Sequence, residues 1–472
     1  MKTQIHTLLP LGRFLPVLLL VAHTAGCVAR GNAESVPDIR DTSAYIRWLS
    51  TSHSSKAAAL RASLGTAAAD LKKSEARAKA VGVLLEMPKV STAAVAGNAA
   101  PLLVAWQKAR AGTPNVPVFA HKLDATVHYT PEQISTLRAL VLTNKPYDDL
   151  LYRAAQMPYR VFKVRSFEAR LIFDAAGLLN IEAFLYAKDG NYRMSIVCVR
   201  YCAELAAQRA PRVSLRVNPD AGFRDGLLNR AIAYNVLLDS RNLLIFAGPN
   251  KEVAEAVPDI VNELASGVDF RTDLITEASR FSQFYREWRS ASPSEIGDIL
   301  RQDFGYEGHV SGGIILTSSE RRLVGAVVDR AESEFLDNTV AILKGCAESS
   351  EKCESVTSDI ESKLASSQDS TDPAFVTFQS QYVPLLSLLT QMKSITANSL
   401  IIKAAAYALE VKATTGRFPA TVPVITLEHN PGVVIHYSCV NNHEFTVAAT
   451  VHLSKDESQL NPSTVPDFVY KD

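Results

Sequence analysis

The chain has 472 residues with 49 basic and 49 acidic side chains, so its formal net charge is zero. That balance excludes a general nucleic-acid binder, which needs a basic field to displace counterions. Hydrophobic residues make up 47%, ample for a core, and the length allows two to three domains.

Lys2 and Arg13 flank an apolar start, and Phe14 to Ala22 is a greasy run broken only by Pro16. Small residues follow and lead to Cys27. A basic n-region, a short h-region and a small-residue exit describe a secretory signal, too short to span a bilayer. Thr24-Ala25-Gly26-Cys27 resembles the lipobox of bacterial lipoproteins, with Thr24 where that pattern prefers Leu. The resemblance implies lipid attachment at Cys27 and a membrane partner through that lipid. The alternative is simple cleavage near Ala29 or Ala33. Either way the mature chain is exported, on the periplasmic side of a bacterial membrane or soluble beyond it, where cysteines oxidise. No later stretch reaches 18 uncharged apolar residues, so no further transmembrane helix is expected.

Residues 28–43 read as a tether, and residues 44–395 as a helical domain with a possible sub-boundary near 115–130. A short helix opens at Ala44, and Ala57 to Glu86 is rich in helix formers up to Met87-Pro88. Lys89 to Pro101 reads as loop, and Leu102 to Arg110 as a helix closed by Gly112. Pro117 to Tyr129 alternates weakly and is expected to be extended. Thr130-Pro131-Glu132 combines an N-cap, a first-turn proline and a first-turn acid. That helix should end near Asn144-Lys145-Pro146, with a short successor from Tyr147 to Met157.

Ile172, Ala175, Leu179, Ala183 and Tyr186 step by three or four, as do Tyr192, Ile196, Val199, Ala203 and Ala206. Only Asp189-Gly190-Asn191 separates them, so the two helices must pack antiparallel. Ala187 to Tyr192 resembles the inner turn of a tetratricopeptide-type hairpin, without a sustained 34-residue period. Further helices are expected from Leu227 to the Gly248-Pro249 stop, and after an Asn250 cap, where Pro258 bends or divides the helix. Others follow along the Phe270, Leu274, Phe281, Tyr285, Trp288 stripe, which reads as core, from Ser292, and over Glu320 to Lys344 with a partner from Glu348 to Ser366. A helix from Pro384 either breaks near Ser394 or continues to Ala413.

Residues 396–472 change character. A helical face from Ala397 to Val411 stops at Gly416, and strands are expected over Val433 to Tyr437 and Phe445 to Leu453. Tyr407-Ala408-Leu409-Glu410 with Gly416-Arg417-Phe418-Pro419 resembles the helix, turn and strands of type II secretion pseudopilins, which implies a pilin-like head motif rather than a pilus subunit. The expected fold class is therefore mainly α: an irregular stack of antiparallel helical hairpins with a small C-terminal α+β tail.

Cys346 and Cys353 flank a six-residue stretch between two expected helices, and a disulfide there would stabilise the turn by about 2.5 kcal/mol on loop entropy. Cys198 and Cys202 sit four apart on one helix, too far for each other. They read as buried small apolar residues or as partners of another helix, and Cys439 is left over. His429, His436 and His443 near Cys439 match no metal spacing, and His443-Glu444 is half of a zinc-protease helix motif in a strand context. No nucleophile elbow or phosphate loop is present, and Ser311-Gly312-Gly313 reads as flexible loop. Glu168, Glu182 and Glu204 lie on or near the central helices. Glu182 falls beside an apolar face and is expected to pair with a neighbouring arginine such as Arg170 or Arg200. No catalytic, cofactor or metal residue is assigned. The leading expectation is a non-enzymatic, lipid-anchored envelope scaffold or protein/peptide-binding module. The alternatives are an envelope hydrolase and an accessory of secretion or pilus machinery.

Overall fold

The structure is a computed structural model. It describes residues 42–83, 85, 99–114, 116–157, 167–208, 212–213, 216–217, 223–266, 270–290, 317–366, 385–423, 433–451 and 467–471. The leader with Cys27, the helix expected from Ser292, the Ser311-Gly312-Gly313 stretch and His429 lie outside them.

The chain is mainly helical, with a three-stranded antiparallel sheet near the C-terminus. Helix α1 spans Thr42–Thr51. The single long helix expected next is two, α2 (Ser55–Leu64) and α3 (Ala67–Ala80), divided at Gly65. Helix α3 stops before Gly82, whose φ of 97° is a left-handed conformation that glycine accepts without penalty. Helix α4 is Ala99–Ala109, followed by a 3-10 turn at Val118–Lys122 where an extended segment was expected. Helix α5 (Pro131–Asn144) starts on a full capping box: Thr130 accepts from the Gln133 backbone and Gln133 accepts from the Thr130 backbone. After a 3-10 turn at Lys145–Tyr147 comes α6 (Asp148–Ala155).

Helices α7 (Phe167–Lys188) and α8 (Tyr192–Gln208) form the expected antiparallel hairpin. Its turn is closed by Asn191 N–H donating to Tyr186 O at 2.8 Å and Gly190 N–H to Ala187 O at 3.1 Å. Gly190 has φ 76°, and Asn191 Oδ1 caps α8 by accepting from Met194 N–H at 3.3 Å. A two-residue hairpin, Arg212–Val213 with Arg216–Val217 (β1 and β2), precedes α9 (Phe223–Ala247). Asn250 caps α10 (Lys251–Ser266), accepting from Val253 N–H at 3.2 Å. That helix runs through Pro258 undivided. Next come α11 (Phe270–Ser290), α12 (Ser318–Glu348) and α13 (Ser350–Ser366). Cys346 and Cys353 are joined by a disulfide across the turn between α12 and α13. Helix α14 (Leu385–Thr415) continues through Ser394 without a break; its 31 residues span about 46 Å.

The sheet has the order β3-β4-β5, with β3 Val433–Asn441, β4 Glu444–Val451 and β5 Phe468–Lys471. The third strand was not expected. Tyr437 pairs with Val447, and Phe445 with Tyr470. The sheet packs its aromatic face on the end of α14: Phe418 meets Phe445 edge-on at 4.8 Å, and Phe445 stacks with Tyr470 at 5.6 Å. Asn442 fastens the Gly416-Arg417-Phe418-Pro419 turn to the β3–β4 turn. Its Oδ1 accepts from Phe418 N–H at 3.2 Å, and its Nδ2 donates to Gly416 O at 3.1 Å. Lys412 Nζ donates to Asn442 O at 2.8 Å and lies 4.3 Å from the Phe418 ring centroid.

The largest buried cluster joins α4, α7, α8, α9, α10, the later part of α14 and the sheet. A second one lies among α3, α11, α12, α13 and the start of α14, where Phe270, Leu274 and Tyr285 are buried as the stripe required. The Trp288 side chain lies outside the described residues. Buried and partly buried ion pairs cross-link this region: Arg230 Nη1 with Asp273 at 2.5 Å, Arg289 with Asp329 and Glu332, and Lys393 with Glu354.

Candidate functional site

Two places concentrate polar groups against the helical core. The first is built on α7, which carries Asn180 and Glu182 in its buried middle although its neighbours are almost all apolar. Glu182 is fully buried and Asp148, at the start of α6, is 5% exposed. Tyr152 Oη donates to Glu182 Oε2 at 2.7 Å, and the Cys198 thiol of α8 points at the same oxygen at 3.7 Å. Asp148 lies within hydrogen-bonding reach of Glu182 and 3.7 Å from Lys145 Nζ. Lys145 in turn donates to Tyr186 Oη at 3.2 Å.

The arginine partner expected for Glu182 is therefore replaced by a tyrosine, a thiol and a second carboxyl. Arg200 is exposed, and the Arg170 side chain lies outside the described residues. Both Asp148 oxygens and Glu182 Oε1 are buried without a donor. Two facing carboxyls with no donor between them are satisfied by a shared proton, which turns one oxygen into a donor. Burial pushes Glu182 up to about 7 and Asp148 up to about 6, and the neighbouring Asp148 raises Glu182 further. Burial and the Glu182 charge also push the Cys198 thiol well above its ordinary value, so it is not a ready nucleophile.

On the far side of α7, Asn180 reaches Asp239 of α9. With its amide nitrogen placed as donor, it bonds Asp239 Oδ2 at 2.7 Å and Ala176 O at 3.2 Å. Burial pushes Asp239 well up as well. Cys202 is buried here and its thiol donates to Ala176 O at 3.5 Å. Both helical cysteines are thus free and buried. Glu204 is also pushed up, by burial first and then by Glu263. The Glu168 side chain lies outside the described residues.

The second place is a shallow cleft between α9, α14 and β5 with a cavity volume of about 20 Å³, room for about one water. Tyr234, Leu238 and Arg241 line it from α9 at spacings of four and three, so they share one helical face. Asn398 and Ile402 line it from α14 and Phe468 from β5. Arg241 Nε is buried without a hydrogen-bond partner, and no carboxylate among the described residues pairs with this guanidinium. Asn398 uses its Nδ2 on Ser394 O at 2.9 Å, leaving Oδ1 uncommitted. Lys122 Nζ sits 5.6 Å from the Tyr234 ring centroid. Burial pushes the Tyr234 phenol up, so it stays a neutral donor.

Elsewhere, His436 is exposed with Nε2 2.8 Å from Thr450 Oγ1, and His443 and Cys439 are exposed. No group of three His, Cys, Asp or Glu among the described residues is arranged to hold a metal. No described helix is long and apolar enough to cross a membrane. No family model, curated protein or solved structure matches the chain.

Proposed function

We propose that this protein is exported, held on the periplasmic side of a bacterial membrane by lipid on Cys27, and works there as a scaffold or protein/peptide-binding module rather than by catalysis. The observation that carries this reading is where the ionisable groups lie. Asp148 faces Glu182, and Asp239 accepts from the Asn180 amide, all inside the stack and outside the cleft lining. Carboxyls sealed in packing set the arrangement of helices and have no substrate to act on. Stacked hairpins then supply extended faces for a partner.

The test combines the mass of the mature N-terminus with membrane fractionation and cross-linking in intact cells. An acylated Cys27, membrane sedimentation and a discrete cross-linked partner are expected. An unmodified start beyond Cys27 with a soluble chain would overturn the anchor, and turnover by the purified chain in hydrolase screens would overturn the non-enzymatic role.

A second reading is an accessory of secretion or pilus machinery. It is favoured by the tail, where a long helix ends at Gly416 and a three-stranded antiparallel sheet folds back on it. Retrieval of secretion components with the membrane-extracted protein is the expected result, and their absence from the eluate would count against this reading.

A further inference from the structure

We propose that α1, α2 and α3 form a basic face that lies against an anionic bilayer, so that the protein meets its membrane through side chains as well as through lipid. This deepens the membrane-anchored reading above and rests on it. The chain as a whole is neutral, yet Thr42 to Gly82 carries seven basic residues and two acidic ones, a net charge of +5. Both acids are engaged: Asp70 Oδ1 accepts from Lys73 Nζ at 3.1 Å, and Glu75 lies 3.8 Å from Arg286. Two of the bases serve packing. Arg61 donates to Leu49 O and Ser52 O at the end of α1, and Arg77 clasps Asp337 of α12. Lys56, Lys72 and Lys79 are exposed, and no carboxylate among the described residues pairs with them.

These lysines stand along one ridge. Helices α2 and α3 run in line beside α12: Leu60, Leu323 and Val327 border one small core, and Ser74 Oγ lies 2.9 Å from Ser333 Oγ. Gly65 and Thr66 between the two helices keep right-handed helical backbone angles. Helix α3 turns Ala67, Leu71, Ser74 and Ala78 inward, which leaves Lys72 and Lys79, seven positions apart, on one outward face. Ala69, Ala76 and Ala80 between them are exposed and bring no acid. From Lys56 to Lys79 the ridge is about 35 Å long. Arg321 and Arg322, exposed at the start of α12, add to it. The acids of α12 do not oppose it, because Asp329 and Glu332 hold Arg289 and Glu334 lies 3.8 Å from Lys363. Place in the chain selects the partner. Residues 28–41 separate Cys27 from α1, at most about 50 Å of extended chain. A lipid on Cys27 thus holds this face, ahead of every later element, within reach of headgroup phosphates, which attract lysine and arginine over about a Debye length. A line of cations with no groove between them suits a flat sheet of charge rather than a single small ligand.

The test is co-sedimentation of the full chain carrying Cys27→Ser, which takes no lipid, with vesicles of phosphatidylcholine alone or mixed with phosphatidylglycerol. The anionic vesicles are expected to bind at least about tenfold more tightly in about 0.05 M salt, and the preference to vanish in about 0.5 M salt. Adding Lys72→Glu and Lys79→Glu should weaken binding to the anionic vesicles at least about tenfold. Arg193→Glu with Lys251→Glu, an equal change of charge on other helices, should leave it unaltered. All four positions are exposed, so unfolding midpoints should stay together. Equal binding to both kinds of vesicle would overturn the proposal without reference to any variant, and so would equal losses in the two pairs of substitutions. Retention on immobilised polyglutamate without any preference between vesicles would assign the face to an acidic protein and overturn the bilayer. If Cys27 is acylated and the vesicles bind alike, this inference falls alone. If the mature chain starts beyond Cys27 and still prefers anionic vesicles, the basic face stands and the lipid anchor falls.

Discussion

Replacing Glu182 by glutamine should flatten the pH dependence of stability. In the native chain the facing carboxyls of Asp148 and Glu182 hold a proton that the unfolded chain releases at lower pH. Burial raises Glu182 from an ordinary 4.5 to about 7. Over that window the native state binds more protons than the unfolded state, so stability falls as pH rises and levels off above the folded value. Integrating a single group between those limits gives a loss of roughly 2–3 kcal/mol from about pH 5 to about pH 8. Glu182→Gln carries no titrating proton. Its amide oxygen can still accept from Tyr152, and its amide nitrogen supplies Asp148 with the donor it lacks. The variant should therefore match the native chain near pH 5 and exceed it near pH 8. Urea unfolding midpoints of both chains across that range measure the difference. Asp239 and Glu332, also raised by burial, contribute equally to both and cancel. Parallel profiles for the two chains, or a native chain more stable at the alkaline end, would refute the shared proton.

Three further outcomes are expected. Cys353→Ser, or reduction of the native chain, should lower stability by about 2.5 kcal/mol because the joined cysteines are only seven positions apart; an unchanged melting curve under reductant would show that the link carries no such weight. Gly248→Ala should cost about 1–2 kcal/mol, because Gly248 has φ 56° and an added Cβ would stand 2.6 Å from Tyr470 Oη. Combining it with Tyr470→Phe should recover part of that loss, which a double-mutant cycle on unfolding midpoints measures. Asn442→Ala removes two bonds to the Gly416–Phe418 turn and should cost about 1–2 kcal/mol, with faster amide exchange at Phe418 as its local signature.

Much of this architecture is legible in short stretches of sequence. The three-residue gap at Asp189-Gly190-Asn191 permits only a hairpin, and the Cys346–Cys353 spacing across a helix turn permits a staple. The capping residues Thr130 and Asn250 stand where local geometry needs an oxygen acceptor. What sequence does not display is long-range pairing. Glu182 finds Tyr152 thirty residues earlier rather than an arginine, because the start of α6 packs beside α7 and burial there favours a shared proton over a free charge. The only local signal was a glutamate in a nearly unbroken apolar helix. The third strand is four residues long and pairs with β4 across a chain separation that no periodicity encodes. The cleft draws from α9, α14 and β5, so none of its three parts is conspicuous alone.

Strand β5 places Phe468 and Tyr470 in the same interior as Ile232 and Val253, more than two hundred residues earlier. A chain made from its N-terminus must therefore keep that interior open until Phe468 and Tyr470 have emerged. Helical hairpins can form on the way, since their partners are adjacent, but sealing waits for the final strand. A chain arrested before β5 would leave that apolar interior exposed to chaperones and proteases.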